Sequence, residues 1–563
     1  MQEQEDSTVE LDYSLPPFTM APSYPRSHSP SASSPLLYSE SHSSSSSLSS
    51  PPPKPTTSLE PTTLPSSSPL GRNLSWSSAY ILVISRVIGS GIFATPGPIL
   101  RSTGSVGLAL LLWILGAGLA YCGMIVSLEY GCMLPLSGGE KVYLEFTYPR
   151  PRFLASTLVA VQAVLLGFTA SNCIVFGEYV LFAFGVKGTE LGQKGIALGL
   201  LTAITVVHGC FLKTGIRIQN ALGWIKVGLV LFMALTGIFV VVFGVKLPDD
   251  SSQVVGTDGR SLMSWDGLWE GSNWGWGTIT TAVFKVSYSY AGLQNLNNVL
   301  NEVKNPVRTL KTVAPAALVT ACSLYLLANI AYLSVVPVEE VKESGQLIAA
   351  LFFERVFGQH VGRILLPLAI ALSAAGNVMV VTFALARLNQ EIARQGFLPY
   401  SRYLSSSKPF GAPMGGLIVH YIPSFLVIAI PPRGDVYNFI LDVEGYPGQF
   451  AILATSFGLL WLRRTRSDLK RPFKAWLPAV YLRIVICLAL IAGPFFPPKD
   501  GRADVGFFYA TYAIVGIGII LFGILAWYVK FVALPKWYGY SIEEELEVLS
   551  DGTTINKLVK VEN

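Results

Sequence analysis

Charged residues are scarce in this sequence. Only 13% of the 563 residues are Asp, Glu, Lys or Arg, whereas soluble domains carry about a quarter. Hydrophobic residues make up 51%, the mean hydropathy is +0.49, and long apolar runs alternate with short loops that hold most of the Lys and Arg. This pattern excludes an ordinary soluble enzyme and is typical of a chain that crosses a bilayer many times.

Cysteine and histidine are also few. The six cysteines lie in or beside apolar runs without a CxxC pair, and the five histidines do not cluster. We therefore predict no disulfide framework, no metal site and no cofactor. The sequence also lacks a phosphate-binding loop and a Ser-His-Asp spacing, which argues against an ATP-driven pump and against an intramembrane enzyme.

Twelve apolar runs have the roughly twenty residues that are needed to cross the hydrocarbon. We therefore predict an all-α polytopic membrane protein with twelve transmembrane helices. The predicted spans, numbered 1 to 12 and named so below, lie at about 77–100, 104–131, 153–184, 192–212, 216–246, 275–301, 312–336, 361–388, 413–431, 435–462, 474–496 and 505–534.

Two tails flank the membrane domain, which we assign to residues 74–535. Residues 1–73 are dominated by Ser and Pro and cannot bury enough apolar surface to fold, so we predict a disordered tail. Residues 536–563 form a short C-terminal tail. If the N-terminus is cytoplasmic, the Lys and Arg residues concentrate in the inner loops, so we predict that both tails are cytoplasmic. The net charge of +5 is a signal of this topology and does not indicate a nucleic-acid partner.

Two predicted spans contain residues that interrupt a helix at membrane depth. Span 1 contains VIGSGIF, with Gly89 and Gly91 on either side of a serine, and span 6 contains YSYAGLQNLNN, with Gly292 and four amides. In lipid, unwound backbone survives only where it is buried in protein or lines a cavity. The interruptions are five spans apart, at corresponding positions of two five-helix repeats, and such pairs point to the binding site of a transporter.

The span 1 interruption offers backbone groups of both polarities. A helix that restarts after a break presents free N–H groups and a positive dipole end, which suit a carboxylate. Here these would be the N–H groups of Ser90, Gly91 and Ile92. The first half-helix ends in free carbonyls, including those of Val87 and Ile88, which suit an ammonium group. Alone, the glycine pair is equally compatible with close helix packing, and the second interruption favours a site.

Four segments together resemble the amino acid–polyamine–organocation superfamily. They are VIGSGIF in span 1, IRIQN entering span 5, SYSYAGLQNLNNVLNEVKNP in span 6 and ARQGFLP after span 8. The similarity runs over about residues 74–535. More narrowly, the sequence resembles the L-type amino acid transporter branch and, within it, the fungal high-affinity methionine permeases. The resemblance implies the LeuT-type fold, with two inverted five-helix repeats, discontinuous helices 1 and 6, and alternating access.

The resemblance also implies roles for individual residues. Ser90 and Gly91 would bind the substrate carboxylate through their N–H groups. The amino group would contact carbonyls at four positions, which are Val87, Ile88, Tyr288 and Ala291. Tyr288 would also act as an aromatic gate over the substrate, and Leu293 would face the side-chain pocket or the outer vestibule.

Lys226 lies inside span 5. A lone ammonium group in a membrane is costly, so a function or a good partner is expected. The resemblance implies that this lysine places its ammonium near the cation site that sodium-coupled relatives have between spans 1 and 8. Lys226 is therefore a candidate for proton coupling, and a fixed charge that braces span 1 is an equal alternative.

The resemblance implies a secondary active transporter that imports neutral amino acids, methionine first, by proton symport at the plasma membrane. A proton is thus the expected coupling ion, and the lipid bilayer and an amino acid are the expected partners. Two alternatives remain: an exchanger or uniporter of broader specificity, and a non-transporting nutrient receptor on the same fold. The loop at about 185–192 has no cysteine, so no disulfide-linked heavy chain is expected.

Overall fold

The computed structural model describes residues 74–136, 138–186, 189–243, 245–246, 254–255, 265–406, 410–430, 436–497, 508–548 and 554–562. The predicted N-terminal tail lies outside these residues. Nine helical stretches within them are long and apolar enough to cross a membrane: Trp76–Ala94, Val106–Met133, Leu154–Ala183, Glu190–Cys210, Arg217–Val240, Pro306–Val335, Val361–Arg394, Leu477–Phe495 and Thr511–Tyr538. The chain is therefore a mostly helical polytopic membrane protein.

Helices also occupy the other three predicted spans, numbers 6, 9 and 10. They are Trp276–Ser289, Met414–Ala429 and Val436–Thr465. None of these three helices is both as long and as apolar as the nine. The total of twelve spans and the inverted five-helix repeats therefore remain predictions.

The individual elements follow in chain order. The α-helices are Trp76–Val87, Gly91–Ala94, Pro96–Thr103, Val106–Met133, Glu140–Thr147, Leu154–Leu165, Ala170–Ala183, Glu190–Cys210, Leu212–Phe243, Trp265–Trp269, Trp276–Ser289, Pro306–Val335, Val338–Glu343, Ile348–His360, Leu366–Arg394, Ser401–Leu404, Met414–Ala429, Val436–Thr465, Leu477–Ala492, Thr511–Tyr528 and Leu534–Tyr538. Short 3₁₀ or π segments are Asn295–Glu302, Val361–Leu365, Gly493–Phe495 and Val529–Ala533, and the strands are Val245–Lys246, Val254–Val255, Tyr540–Val548 and Thr554–Glu562.

Span 1 is divided by a short unwound stretch. Its first helix begins where the Ser75 side chain accepts a hydrogen bond from the Ser78 N–H, and ends at Val87. Ile88 then adopts an extended conformation (φ −72°, ψ 91°), and helix resumes at Gly91. Proline at position 96 starts the following helix, since its missing N–H costs nothing at the first helical position.

Span 6 is divided in the same way but resumes differently. Its α-helix ends at Ser289, a series of turns follows, and Asn295–Glu302 continues as a 3₁₀ helix. Glycine is required within the turns, because Gly292 has φ +111°. Both interruptions predicted from sequence are therefore present in the described chain.

Span 3 carries a third break, which the sequence did not predict. Helix Leu154–Leu165 stops, and helix Ala170–Ala183 begins after four intervening residues. A Cβ atom on Gly167 would lie 2.1 Å from the carbonyl oxygen of Ala163, so no larger residue fits this backbone path. The predicted continuous span at 153–184 is thus corrected to two half-helices.

The C-terminal segment forms an antiparallel β-hairpin, which corrects the all-α expectation. Tyr540–Val548 pairs with Thr554–Glu562, and acidic and basic side chains such as Glu545 and Lys557 lie opposite each other. The hairpin contacts the membrane domain where the Leu558 N–H donates to the Gln395 carbonyl at 3.2 Å. The predicted short tail therefore contains ordered structure within its described residues.

Two apolar cores support the helices. The larger includes residues from spans 1, 2, 6 and 7, and the smaller is built from spans 3, 4, 8, 9 and 10. The broken spans 1 and 6 belong to the larger core, whereas the half-helix beginning at Ala170 contributes to both. Polar contacts between the two cores are therefore expected where these three breaks meet.

Candidate functional site

The break in span 1 is almost completely buried. Ile88 is 0% exposed and Ser90 is 1% exposed. Within the described residues, the N–H groups of Ser90 and Ile92 have no acceptor and the Ile88 carbonyl accepts no hydrogen bond. Buried backbone groups are normally paired, so this break presents donors and an acceptor that a ligand could satisfy.

One tyrosine of span 7 joins the two predicted breaks. The Tyr325 hydroxyl lies 2.9 Å from the carbonyl oxygens of both Val87 and Ser289, and its single proton is shared between them. The Val87 carbonyl, expected to be free for an ammonium group, is thus already engaged. A carbonyl has a second lone pair, so its role toward an amine stays a prediction.

Tyr288 of broken span 6 lies across the site and contacts the two other broken spans. Its hydroxyl is 3.2 Å from Ser90 Oγ and 3.0 Å from Ser171 Oγ, and it accepts a hydrogen bond from Asn172 Nδ2 at 3.1 Å. Its carbonyl accepts from the Ala291 N–H at 3.1 Å. The sequence did not single out Ser171 and Asn172, although two adjacent polar residues shortly after Gly167 in an apolar span were a usable signal.

Asn377 of span 8 completes the polar network. Its Nδ2 donates to Asn172 Oδ1 at 3.1 Å, and its own Oδ1 is buried with no partner among the described residues. A Cβ on Gly89 would lie 2.8 Å from Asn377 Nδ2, so the glycine lets the amide approach the break. An unpaired buried acceptor on a side chain that approaches the break suits an ammonium group.

Gly91 and Gly292 each allow a close approach between spans 1 and 6. A Cβ on Gly91 would lie 2.5 Å from Ser289 Oγ and 2.9 Å from Ser289 Cα. A Cβ on Gly292 would lie 2.7 Å from Cγ of Arg86. Any side chain at position 91 therefore collides with backbone, which cannot move without separating the two spans.

The two remaining candidates of span 6 lie apart from the polar network. Ala291 is exposed, and Leu293 is 4% exposed and packs in the larger core. Neither side chain has a hydrogen-bonding group, and their predicted contacts with substrate remain predictions.

Lys226 reaches the end of the first half-helix of span 1. It is 1% exposed, and its Nζ donates to the Ser85 carbonyl at 3.0 Å. This carbonyl belongs to the last helical turn, which has no intrahelical partners. The lysine therefore lies close to the break, as the resemblance implies, and both coupling and bracing are compatible with this contact.

Arg86 is a charged residue of the site that the sequence did not single out. It lies within electrostatic range of Lys226 in span 5, Tyr288 in span 6 and Glu444 in span 10. A basic residue directly before the break was the available signal. Arg86 and Gly292 also line a cavity of about 250 Å³.

Glu140 lines the same cavity from the short helix between spans 2 and 3. Burial raises the pKa of its carboxyl group to about 7, an effect that the positive charge of Arg483 opposes. Near neutral pH this side chain therefore exists in both charged and neutral forms.

Comparison with known proteins identifies the family of this chain. Residues 74–521 match the amino acid permease family. The low-affinity methionine permease of Saccharomyces cerevisiae is 33% identical over 496 residues, covering 87% of this chain and 88% of that protein. The high-affinity methionine permease of the same yeast is 34% identical over 486 residues, covering 85% and 83%.

A human relative is more distant. The b(0,+)-type amino acid transporter 1 is 28% identical over 438 residues, covering 76% of this chain and 84% of that protein. The resemblance to the L-type branch and to fungal methionine permeases is confirmed by these matches. With four-fifths of its length matched to one family and helices long enough to cross a membrane, the chain belongs to the amino acid permease family.

Proposed function

We propose that this protein imports neutral amino acids, methionine first among them, by proton symport with alternating access across the plasma membrane. The observation that carries the proposal is the set of unpaired groups at the span 1 break. The N–H groups of Ser90 and Ile92 and the carbonyl of Ile88 are buried and free within the described residues. Donors and an acceptor that face one place match the two poles of an α-amino acid.

The substrate carboxylate binds the N–H groups of Ser90, Gly91 and Ile92 at the positive end of the restarted helix. The ammonium group binds the Ile88 carbonyl, with the buried Asn377 Oδ1 as a second acceptor. The carbonyls at positions 87, 288 and 291 complete the amine site once substrate rearranges their present contacts. Leu293 contributes to the side-chain pocket.

Tyr288 acts as the gate. Its hydroxyl binds Ser90, Ser171 and Asn172, and these bonds connect the two apolar cores directly over the break. Substrate entry or release requires at least some of these bonds to open, because they span the groups that would receive the substrate. Alternating access then corresponds to spans 1 and 6 moving against spans 3 and 8, within two inverted repeats.

Proton coupling is assigned to Lys226. Its contact with the Ser85 carbonyl connects a titratable group to the helix that precedes the substrate site. Loss of a proton removes a buried charge and weakens this bond, which frees the first half-helix of span 1. The methionine preference is carried over from the two yeast relatives. In this proposal both termini of the chain lie in the cytoplasm.

The test is uptake of radiolabelled methionine by permease-deficient cells that express the protein at their surface. We expect saturable uptake that rises as the external pH falls. Unlabelled methionine should compete best, ahead of cysteine, leucine and phenylalanine, and a polyamine should not compete. No uptake by a surface-located protein would refute transport and leave the receptor alternative. Uptake that depends on preloaded internal amino acid would instead indicate exchange.

A further inference from the structure

A polar cavity of about 250 Å³ adjoins the substrate site on the side where span 1 begins and the 3₁₀ helix of span 6 ends. Arg86 and Gly292 border it at the breaks, and Glu140, Tyr143 and Asn297 border it farther away. A volume of this size holds about eight waters at roughly 30 Å³ each, which is enough space for a mid-sized amino acid.

Two buried polar atoms of this cavity lack partners. The Asn297 Oδ1 and the Tyr143 hydroxyl belong to side chains that are each 3% exposed, and neither has a hydrogen bond among the described residues. Both atoms approach the same point, because a Cβ on Gly131 would lie 2.9 Å from the first and 3.1 Å from the second. Both atoms are sealed beside Gly131, which is not among the residues that line the cavity, so they belong to its packed polar wall.

The charges of the cavity suit a zwitterion. No side-chain hydrogen bond or close ion pair joins Arg86 to a described residue, although Glu444 interacts with it electrostatically from span 10. Its guanidinium can therefore bind a carboxylate with two parallel bonds. Glu140 carries the opposite charge on another wall.

We propose that this cavity is a second binding station for the transported amino acid, in which Arg86 anchors the carboxylate before release to the cytoplasm. The same guanidinium repels a second positive charge, so it disfavours cationic amino acids and polyamines. This inference rests on the proposed function. It adds a substrate site on the cytoplasmic side of the breaks and a residue that sets the charge class of the substrate.

The test compares the two sides of the membrane. Kinetics of methionine transport are measured in right-side-out and inside-out vesicles for the wild type, Arg86→Gln, Arg86→Lys and the exposed control Arg101→Gln. We expect Arg86→Gln to raise the cytoplasmic KM about ten-fold, the effect of losing a charge-assisted hydrogen bond, while the external KM changes by less than about two-fold. Arg86→Lys should retain part of the cytoplasmic affinity, and Arg101→Gln should match the wild type.

Binding of radiolabelled methionine to the purified protein in nanodiscs gives a second, independent measurement. The wild type should bind at two sites of different affinity, and Arg86→Gln should lose the weaker one. Arginine and spermidine should inhibit uptake by Arg86→Gln more strongly than uptake by the wild type. An unchanged cytoplasmic KM in Arg86→Gln, or a single site in the wild type, would overturn the second station and leave the primary site intact. Absence of all binding by the wild type would instead overturn the proposed function.

Discussion

The breaks in spans 1 and 6 have similar positions in the chain but different surroundings. At the span 1 break, residues 87–92 are all buried, and helix resumes at once in Gly91–Ala94. At the span 6 break, Ala291 is exposed, Gly292 borders the cavity, and the chain resumes as a 3₁₀ helix.

This difference indicates that the two breaks have different roles. Backbone that is buried and held by Tyr325 and Lys226 can present its N–H groups in fixed directions, which precise recognition requires. A 3₁₀ segment has poorer hydrogen-bond geometry and often marks a hinge. Under the proposed function, span 1 therefore recognises the substrate, whereas span 6 provides movement and the path to the second station.

The largest expected effect comes from forcing spans 1 and 6 apart. Gly91→Val should reduce methionine uptake by at least about one hundred-fold, because its Cβ would meet Ser289 Cα at 2.9 Å and overpacking displaces backbone. Surface expression and uptake are measured together. Gly118→Ala is the matched control, since a Cβ there meets nothing within 4 Å. Normal uptake by Gly91→Val would refute the proposal that substrate binds at the span 1 break.

A milder change tests the Tyr325 hydroxyl, which joins the two breaks and is called the clamp here, separately from the packing of its ring. Tyr325→Phe keeps the ring but removes the hydroxyl that Val87 and Ser289 share. Loss of one such bond is worth about 1 kcal/mol, so KM for methionine should rise about five-fold. Tyr290→Phe is the control, because the Tyr290 hydroxyl donates to the Trp113 carbonyl at 3.3 Å and to neither Val87 nor Ser289. Equal effects of the two changes would argue against a special role for the clamp.

Lys226→Ala tests how the first half-helix responds to protons. Uptake by this variant should depend less on external pH, with a slope reduced by about half, because the contact with Ser85 is lost. The measurement is the initial rate of uptake between pH 5 and 8. A lower rate with an unchanged pH profile would assign Lys226 to bracing alone.

The smallest effect is expected on the cavity side. The pKa of Glu140 is raised to about 7 by burial, against the influence of Arg483; Tyr143 also interacts with it electrostatically. The carboxyl is charged above pH 7 and neutral below it. Cytoplasmic KM for methionine should therefore rise about two-fold as internal pH falls from 8 to 6. The cytoplasmic KM of Glu140→Gln should not change over this pH range. A pH response retained in Glu140→Gln would assign it to another group.

Sequence could reveal spans 1 and 6 because their breaks use residues that are costly in a lipid-facing helix. Paired glycines in span 1 and four amides in span 6 are visible without any neighbour. The third break gives a weaker signal, because Gly167 is a single glycine within an apolar run. This break is supported from span 9, where His420 Nδ1 donates to the Gly167 carbonyl at 2.7 Å.

The sequence by itself determined the membrane class, the family and the unwound stretch at Gly89 to Gly91, because these depend on composition and on local backbone demands. Only the tertiary structure decided which groups meet at that stretch. Tyr325 binds the Val87 carbonyl beside it, Asn377 approaches Gly89, and Tyr288 links Ser90 to Asn172. Arg86 lines a cavity. Such contacts join residues far apart in the chain, and helix packing alone brings their polar atoms together.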